Sequence, residues 1–219
     1  IRGLLDAHAD LRVVFLVDSL AQLALIEDWH AREGSPGAFE VMLEIGVDGG
    51  RTGCRTQDEA LALARALRAS AATRLVGIEC YEGQGATGQS APDTAYANTL
   101  MDRVDALARA CVAQGLFEAD ELLFSAGGSA IFDLVAGRLR PTLGRPVRGL
   151  LRSGCYVPLD HGFDKRMVDA VAQRRGCARG DGLRPALEVW ATVQSRPEPR
   201  LAIVAVGRRD ISFDLSLPV

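Results

Sequence analysis

Lysine is almost absent from this chain of 219 residues, because Lys165 is the only lysine among its 25 basic residues. A carbonyl compound that is held as a Schiff base requires a lysine amine, which the guanidinium group of arginine cannot replace. Any Schiff-base chemistry that the chain carries out by itself must therefore use Lys165.

Several other features are also missing. The five cysteines are odd in number, widely spaced and never in a CxxC pair, a pattern that suggests neither a disulfide framework nor a zinc knuckle and favours free thiols. The net charge is −3 without a basic cluster, which argues against nucleic acid as a partner. His8 and His30 have no Cys, His or acidic neighbours at ligand spacing, so we expect no metal site in the chain.

Long apolar runs are absent as well. No run approaches the roughly 18 residues that a membrane span needs, and the first residues do not resemble a signal peptide. We therefore expect no membrane partner and a cytoplasmic location. The chain starts without methionine, and we expect it to be a fragment of a longer protein.

What is present is an alternation of short apolar segments with segments of helical spacing. The predicted strands are residues 13–17, 39–45, 74–80, 121–124 and 147–151, and the predicted helices are residues 20–32, 57–69 and 95–114. Strands separated by helices pair in parallel through right-handed crossovers. Five such units fit either an open doubly wound sheet or part of an eight-stranded barrel.

The pattern changes beyond residue 184. Residues 186–194 and 201–206 are predicted strands that are joined by a proline-containing turn at residues 196–199, with no helix between them. A β-rich segment therefore begins there, and residues 176–182 are the best linker candidate.

Small and polar residues follow the predicted strands, where ligands bind in parallel α/β folds. Arg51 lies in such a loop and can hold an anion, although a solvated arginine in a tight loop is the alternative. Two later loops, residues 125–129 and 153–156, offer backbone amides and hydroxyls that suit a phosphate, although ordinary turns use the same residues.

Two further pairs lie at the same ends of the strands. Tyr81 and Glu82 follow the third predicted strand and place an aromatic ring and a carboxylate there. Asp160 and His161 could form a general acid/base pair, although a turn and helix start is the alternative.

Six segments carry a resemblance to a known family: residues 15–19, 44–53, 77–83, 125–129, 151–157 and 207–210. Together they resemble the alanine-racemase-like barrel enzymes of the D-serine dehydratase and D-threonine aldolase group, which includes amino acid deaminases. The resemblance implies the later strands of a (β/α)8 TIM-type barrel, with the N-terminal strands missing, followed by the start of a β-domain. The barrel would occupy residues 1–175, and the β-domain would begin within residues 184–219.

The resemblance also implies a cofactor. Enzymes of this group bind pyridoxal 5′-phosphate (PLP) at the barrel mouth, and they form homodimers. The Schiff-base lysine of the family lies on the first barrel strand, which precedes this chain, and Lys165 does not match its position. Some members bind a divalent metal such as zinc in the part of the β-domain beyond residue 219.

Site residues follow from the resemblance position by position. Arg51 matches the arginine near the cofactor's phenolic oxygen or the substrate carboxylate, and Tyr81 lies where the family lines the cofactor pocket, so both are expected in catalysis and in cofactor binding. The residues expected in the phosphate loops are Gly127, Gly128, Ser129, Gly154, Cys155 and Tyr156.

The implied activity is that of a PLP-dependent lyase or deaminase acting on a D-β-hydroxy amino acid, most simply D-serine, which would give pyruvate and ammonia. Residues 46–50 differ from the Asp-Val-Gly or Asp-Thr-Gly pattern that is more usual in aldolases and racemases, which favours the deaminase branch. The alternatives are a D-threonine aldolase, an amino acid racemase, a non-catalytic PLP homeostasis protein and a phosphate-binding α/β domain without PLP.

Overall fold

The computed structural model describes residues 1–34, 37–178, 181–213 and 217, and its main feature is a five-stranded parallel sheet. In chain order the elements are α1 (Arg2–Ala7), β1 (Val14–Val17), α2 (Leu20–Arg32), β2 (Phe39–Ile45), α3 (Gln57–Ala69), β3 (Thr73–Cys80), a 3₁₀ turn (Gly83–Gly85), α4 (Ser90–Ala113), β4 (Leu122–Ala126), α5 (Phe132–Ala136), β5 (Val147–Leu151), α6 (Phe163–Arg175), β6 (Val193–Glu198) and β7 (Leu201–Val204).

The strand order decides between the two predicted sheet types. Each strand of the large sheet pairs in parallel with the next strand along the chain, in the order β1-β2-β3-β4-β5. A doubly wound sheet reverses direction at a switch point, whereas a barrel continues in one direction. The prediction of a partial barrel followed by a separate β-segment is confirmed.

Local sequence signals explain where the helices begin. The Ser19 hydroxyl accepts the amide of Gln22 at the start of α2 (3.3 Å). Thr56 and Glu59 form a reciprocal capping box at the start of α3. Such caps satisfy amides that have no partner within the helix, and both helices have the bounds that the sequence predicts.

The two faces of the sheet differ in chemistry. On the face covered by the helices, apolar side chains such as Leu43, Ile78 and Phe124 are fully buried in the main core. The opposite face holds a small apolar cluster of Met42, Val76 and Leu123. Strand residues alternate between faces, so the residues two positions after Met42 and Leu123 lie on this same face. They are Glu44 and Ser125, which are polar.

That polar row is set by strand register. Glu44 on β2 pairs with Glu79 on β3, and Glu79 pairs with Ser125 on β4. All three side chains are buried, and Glu79 is only 1% exposed. Three polar residues on neighbouring strands, Glu44, Glu79 and Ser125, therefore form one polar layer. The layer lies just below the side of the sheet at which the strands end, and we call that side the carboxyl edge.

Other predictions need correction. Helix α4 begins at Ser90 rather than at residue 95, because Pro92 fits the first helical turn, where its missing amide has no role. The predicted strand at residues 186–194 is wrong in its bounds, since residues 186–192 form no strand and β6 covers Val193–Glu198. The turn lies at residues 199–200, so β6 runs through most of the predicted turn and pairs antiparallel with β7.

Of the predicted linker, residues 176–178 and 181–182 follow α6, and residues 179–180 lie outside the described residues. The predicted β-domain also includes residues 214–216, 218 and 219, which lie outside them too. Over the ranges that the structure describes, no helix has both the length and the apolar character of a membrane span.

Candidate functional site

Four loops meet at the carboxyl edge: residues 46–56 after β2, 81–89 after β3, 127–131 after β4 and 152–162 after β5. Parallel strands end at the same side of a sheet, so these loops can share one site. The structure brings the predicted site residues from all four loops to this edge.

The loop after β2 is fixed by arginine side chains. The Arg55 guanidinium donates to the carbonyls of Gly50 (2.9 Å), Thr52 (2.6 Å) and Gly53 (2.9 Å). Gly53 has a φ of +92°, and a Cβ there would lie 2.2 Å from the amide nitrogen of Gly46. Only glycine fits such a turn, so Arg51 is presented by a loop with little freedom.

The structure places Arg51 and Tyr81 together. The Arg51 guanidinium carbon is 4.8 Å from the centroid of the Tyr81 ring, a cation–π distance. The backbone amide of Arg51 also donates to Oε1 of Gln84 at 2.9 Å. Burial raises the pKa of the Tyr81 hydroxyl, and Arg51 partly opposes that rise. Because Arg51 is exposed, its guanidinium can receive an anion while it stays stacked on the ring.

Gly127 and Gly128 already have an anionic partner. Their amides donate to Oε2 and Oε1 of Glu82, at 2.9 Å and 2.6 Å. Glu82 is completely buried, and its carboxylate occupies the position that the sequence suggests for a phosphate. Sequence reasoning placed Glu82 at this edge but did not identify these contacts.

Of the four other predicted phosphate residues, three keep an available amide, while the amide of Tyr156 is engaged. Tyr156 donates its amide to the Ser129 hydroxyl at 3.2 Å, and the Ser153 hydroxyl donates to the Gly127 carbonyl at 2.6 Å. The amides of Ser129, Gly154 and Cys155 have no acceptor within the described part of the chain. A Cβ built on Gly154 would meet nothing within 4 Å, so a ligand can approach that backbone closely.

The structure adds a group that sequence reasoning missed. Arg152 forms an ion pair with Glu79 and donates to the Ser125 hydroxyl at 2.7 Å. Glu44 accepts the Thr52 hydroxyl, which links the same layer to the loop that carries Arg51. The available signal was a glutamate inside each of two apolar strands, because an acidic residue in a buried strand requires a partner.

Two further candidates have different roles. The Asp160 carboxylate accepts the amides of Gly162 (2.6 Å) and Asp164 (3.2 Å) at the start of α6, and His161 is exposed. The turn and helix start is therefore the correct interpretation of that pair. Lys165 forms an ion pair with Asp169 on α6. Among the described residues, no three His, Cys, Asp or Glu side chains lie where they could hold a metal ion.

Comparison with known proteins places the chain in a family. The family model described as alanine racemase, N-terminal domain, matches residues 2–146, and the model described as putative serine dehydratase domain matches residues 186–218. No curated protein matches the chain.

Two solved structures share the fold. A D-threonine aldolase from Filomicrobium marinum is 24% identical, with a TM-score of 0.65, over 100% of this chain and 54% of that protein. A D-threo-3-hydroxyaspartate dehydratase from Delftia sp. HT23 is 26% identical, with a TM-score of 0.51, over 73% of this chain and 39% of that protein. The chain thus spans about half or less of the length of these relatives. The matches confirm the predicted resemblance, and the chain belongs to the alanine racemase N-terminal domain family.

Proposed function

We propose that this chain supplies the cofactor-binding part of a PLP-dependent lyase that acts on D-β-hydroxy amino acids, most simply D-serine, which it converts to pyruvate and ammonia. The observation that carries the proposal is the set of amides at Ser129, Gly154 and Cys155, which have no acceptor among the described residues and lie on the same edge as the Arg51–Tyr81 pair. The match of residues 186–218 to the serine dehydratase model supports it.

The residues present fit PLP. A phosphate needs several converging N–H donors, and the loops after β4 and β5 have three amides without an acceptor in the described ranges. An aromatic phenolic oxygen carries partial negative charge, which suits the exposed guanidinium of Arg51. PLP supplies an electron sink for the bonds at Cα of an amino acid.

The chain's own residues would bind and orient. Ser129, Gly154 and Cys155 would hold the phosphate through their amides, and Tyr156 would fix the Ser129 hydroxyl. Arg51 would bind an oxyanion of the cofactor or substrate. The Tyr81 ring would hold the Arg51 side chain against the wall of the site, so that the bidentate fork is already oriented when the ligand arrives.

A lysine for the Schiff base is the part that the described site does not provide. Lys165 is paired with Asp169 on α6, and the family places its lysine on an earlier strand. We propose that the rest of the protein supplies this lysine, and that the active form is a homodimer in the cytoplasm. A divalent metal such as zinc, if used, would also bind outside the described residues.

D-Threonine aldolase activity is the second candidate, because the structure of a D-threonine aldolase covers the whole of this chain. The two reactions break different bonds. Dehydration of D-serine removes the β-hydroxyl and ends in pyruvate, whereas aldol cleavage of D-threonine breaks the Cα–Cβ bond and gives glycine and acetaldehyde. Product analysis with both substrates separates them.

The test uses the protein that carries this chain, purified with PLP and assayed with D-serine for pyruvate. We expect a visible PLP absorbance band that changes as pyruvate appears. The variant Arg51→Met should lower kcat/KM by about 100-fold, since it removes charged hydrogen bonds worth about 1.5–3 kcal/mol. Arg51→Lys should restore only part of the loss, because lysine lacks the bidentate fork.

The control is Arg145→Met, in the loop before β5 at the opposite end of that strand. It removes the same charge and should leave kcat/KM unchanged. A protein that neither acquires the visible band with PLP nor forms pyruvate or glycine would refute the proposal and would favour a phosphate-binding barrel without PLP.

A further inference from the structure

Glu82 is a buried carboxylate that the proposed reaction does not use. It follows β3 directly, next to Tyr81, and its side chain reaches the loop after β4, 45 residues further along the chain. Both of its carboxylate oxygens accept backbone amides, one from Gly127 and one from Gly128. A side chain that joins two loops in this way must influence the geometry of both.

The backbones of the two loops are also in close contact. A Cβ built on Gly128 would lie 2.7 Å from Cα of Gly83, the residue after Glu82. Gly127 has a φ of +113°, a conformation that only glycine adopts readily, and a Cβ there would lie 2.9 Å from the Leu151 side chain. The glycines therefore allow the loops after β3, β4 and β5 to approach each other.

The contact continues to the loop that carries Gly154. The Gly127 carbonyl accepts the Ser153 hydroxyl at 2.6 Å. The Gly127 carbonyl, which accepts from Ser153, and the Gly128 amide, which donates to Glu82, thus belong to the same peptide group. A rotation of that peptide group would change the positions of Ser129 on one side and of Gly154 on the other.

The Gly127–Gly128 amides are not free for a ligand. Burial raises the pKa of Glu82, while the two amide hydrogen bonds oppose the rise. A second anion at the same amides would lie close to the Glu82 carboxylate, which electrostatics disfavours. A phosphate must therefore use the other amides of these loops.

We propose that Glu82 is a positioning residue of the cofactor site: its carboxylate holds the Gly127–Gly128 segment so that the amides of Ser129, Gly154 and Cys155 converge on the phosphate. The proposal rests on the proposed function for the identity of the ligand. The Glu82 contacts themselves are independent of that function, so the two can fail separately.

The experiment compares Glu82→Gln with the wild-type protein that carries this chain. A glutamine side chain can accept one of the two amides, but its NH₂ group would face the other donor. The matched control is Glu121→Gln, because Glu121 lies next to the opposite end of β4 in a surface ion pair with Arg148. It removes the same charge far from the site.

The probes are pyridoxine 5′-phosphate and pyridoxine, which have no aldehyde and differ only in the phosphate. In Glu82→Gln we expect the affinity for pyridoxine 5′-phosphate to fall by about tenfold, with little change for pyridoxine. A merely structural role would lower both affinities by the same factor. Equal losses, no loss, or a gain in phosphate affinity would overturn the proposal.

A second measurement does not depend on the ligand. Hydrogen exchange of the Gly127 and Gly128 amides should become about tenfold faster in Glu82→Gln and stay unchanged in Glu121→Gln. Unchanged exchange in Glu82→Gln would overturn the role of Glu82. A wild-type protein that does not prefer the phosphorylated probe would instead refute the proposed cofactor site, even where the exchange result agrees.

Discussion

Replacing Arg152 by methionine should lower the free energy of unfolding by about 2 kcal/mol. The Glu79 side chain is 1% exposed and relies on Arg152 as its ionic partner. One of its oxygens, Oε2, has no hydrogen-bond partner among the described residues. Removing Arg152 would leave a buried carboxylate with no counter-charge.

The magnitude follows from burial. Breaking a fully buried ion pair by removal of one partner costs about 3–5 kcal/mol. The Arg152 side chain is 45% exposed, so water can reach the space that it leaves and part of that cost is recovered. We therefore expect about 2 kcal/mol for Arg152→Met, and about 1 kcal/mol for Glu79→Gln, which leaves Arg152 partly hydrated.

The assay is a double-mutant cycle measured by urea denaturation. The double variant Glu79→Gln/Arg152→Met should be more stable than Arg152→Met alone, because it contains no unpaired buried charge. The coupling free energy should be about 1–2 kcal/mol. Additive effects of the two substitutions would show that the pair contributes nothing to stability and would refute this account of the polar layer.

Two further predictions concern the same edge of the sheet. Iodoacetamide should alkylate Cys155 and Cys177, which are the exposed cysteines. Pyridoxine 5′-phosphate at ten times its Kd should slow the alkylation of Cys155 by about tenfold and leave that of Cys177 unchanged. Equal rates of Cys155 alkylation with and without the ligand would place the phosphate elsewhere. Because the pKa of Glu82 is raised, its protonated form stabilises the fold below the ordinary glutamate pKa of about 4.3, and this contribution is lost as the pH rises through the raised value. As the pH rises through the raised pKa of Glu82, the free energy of unfolding of the wild-type protein, measured by urea denaturation, should therefore fall relative to that of Glu82→Gln. Parallel pH profiles of the two proteins would contradict a raised pKa at Glu82.

Much of the fold could be predicted because its signals are local. Helices α2 and α3 have capping residues at their first turns, and β2 is an apolar run with turn residues on both sides. The bounds of β6 could not be predicted in the same way. Residues 186–194 have a strand-like composition, but a strand also needs a partner, and β7 pairs with Val193–Glu198 instead.

The sequence could predict which loops carry the candidate site, but it could not predict which distant residues contact each other there. The end of each strand and the motif residues identified Arg51, Tyr81, Gly154 and their loops. The partner of Glu82 lies 45 residues away, and that of Arg152 lies 73 residues away. Such pairs depend on strand register and loop conformation together, which no local pattern specifies.

The site is built on strands of unequal protection. β2, β3 and β4 each have a neighbouring strand on both sides, whereas β5 has only β4 beside it within the described residues, and its side chains are largely exposed. Core strands open locally only at free energies close to that of global unfolding. Gly154 and Cys155 extend from β5, while Glu82 and Gly127 extend from interior strands. The Glu82 contacts are therefore anchored in strands that are paired on both sides, and they should persist during fluctuations that open less protected parts of the site.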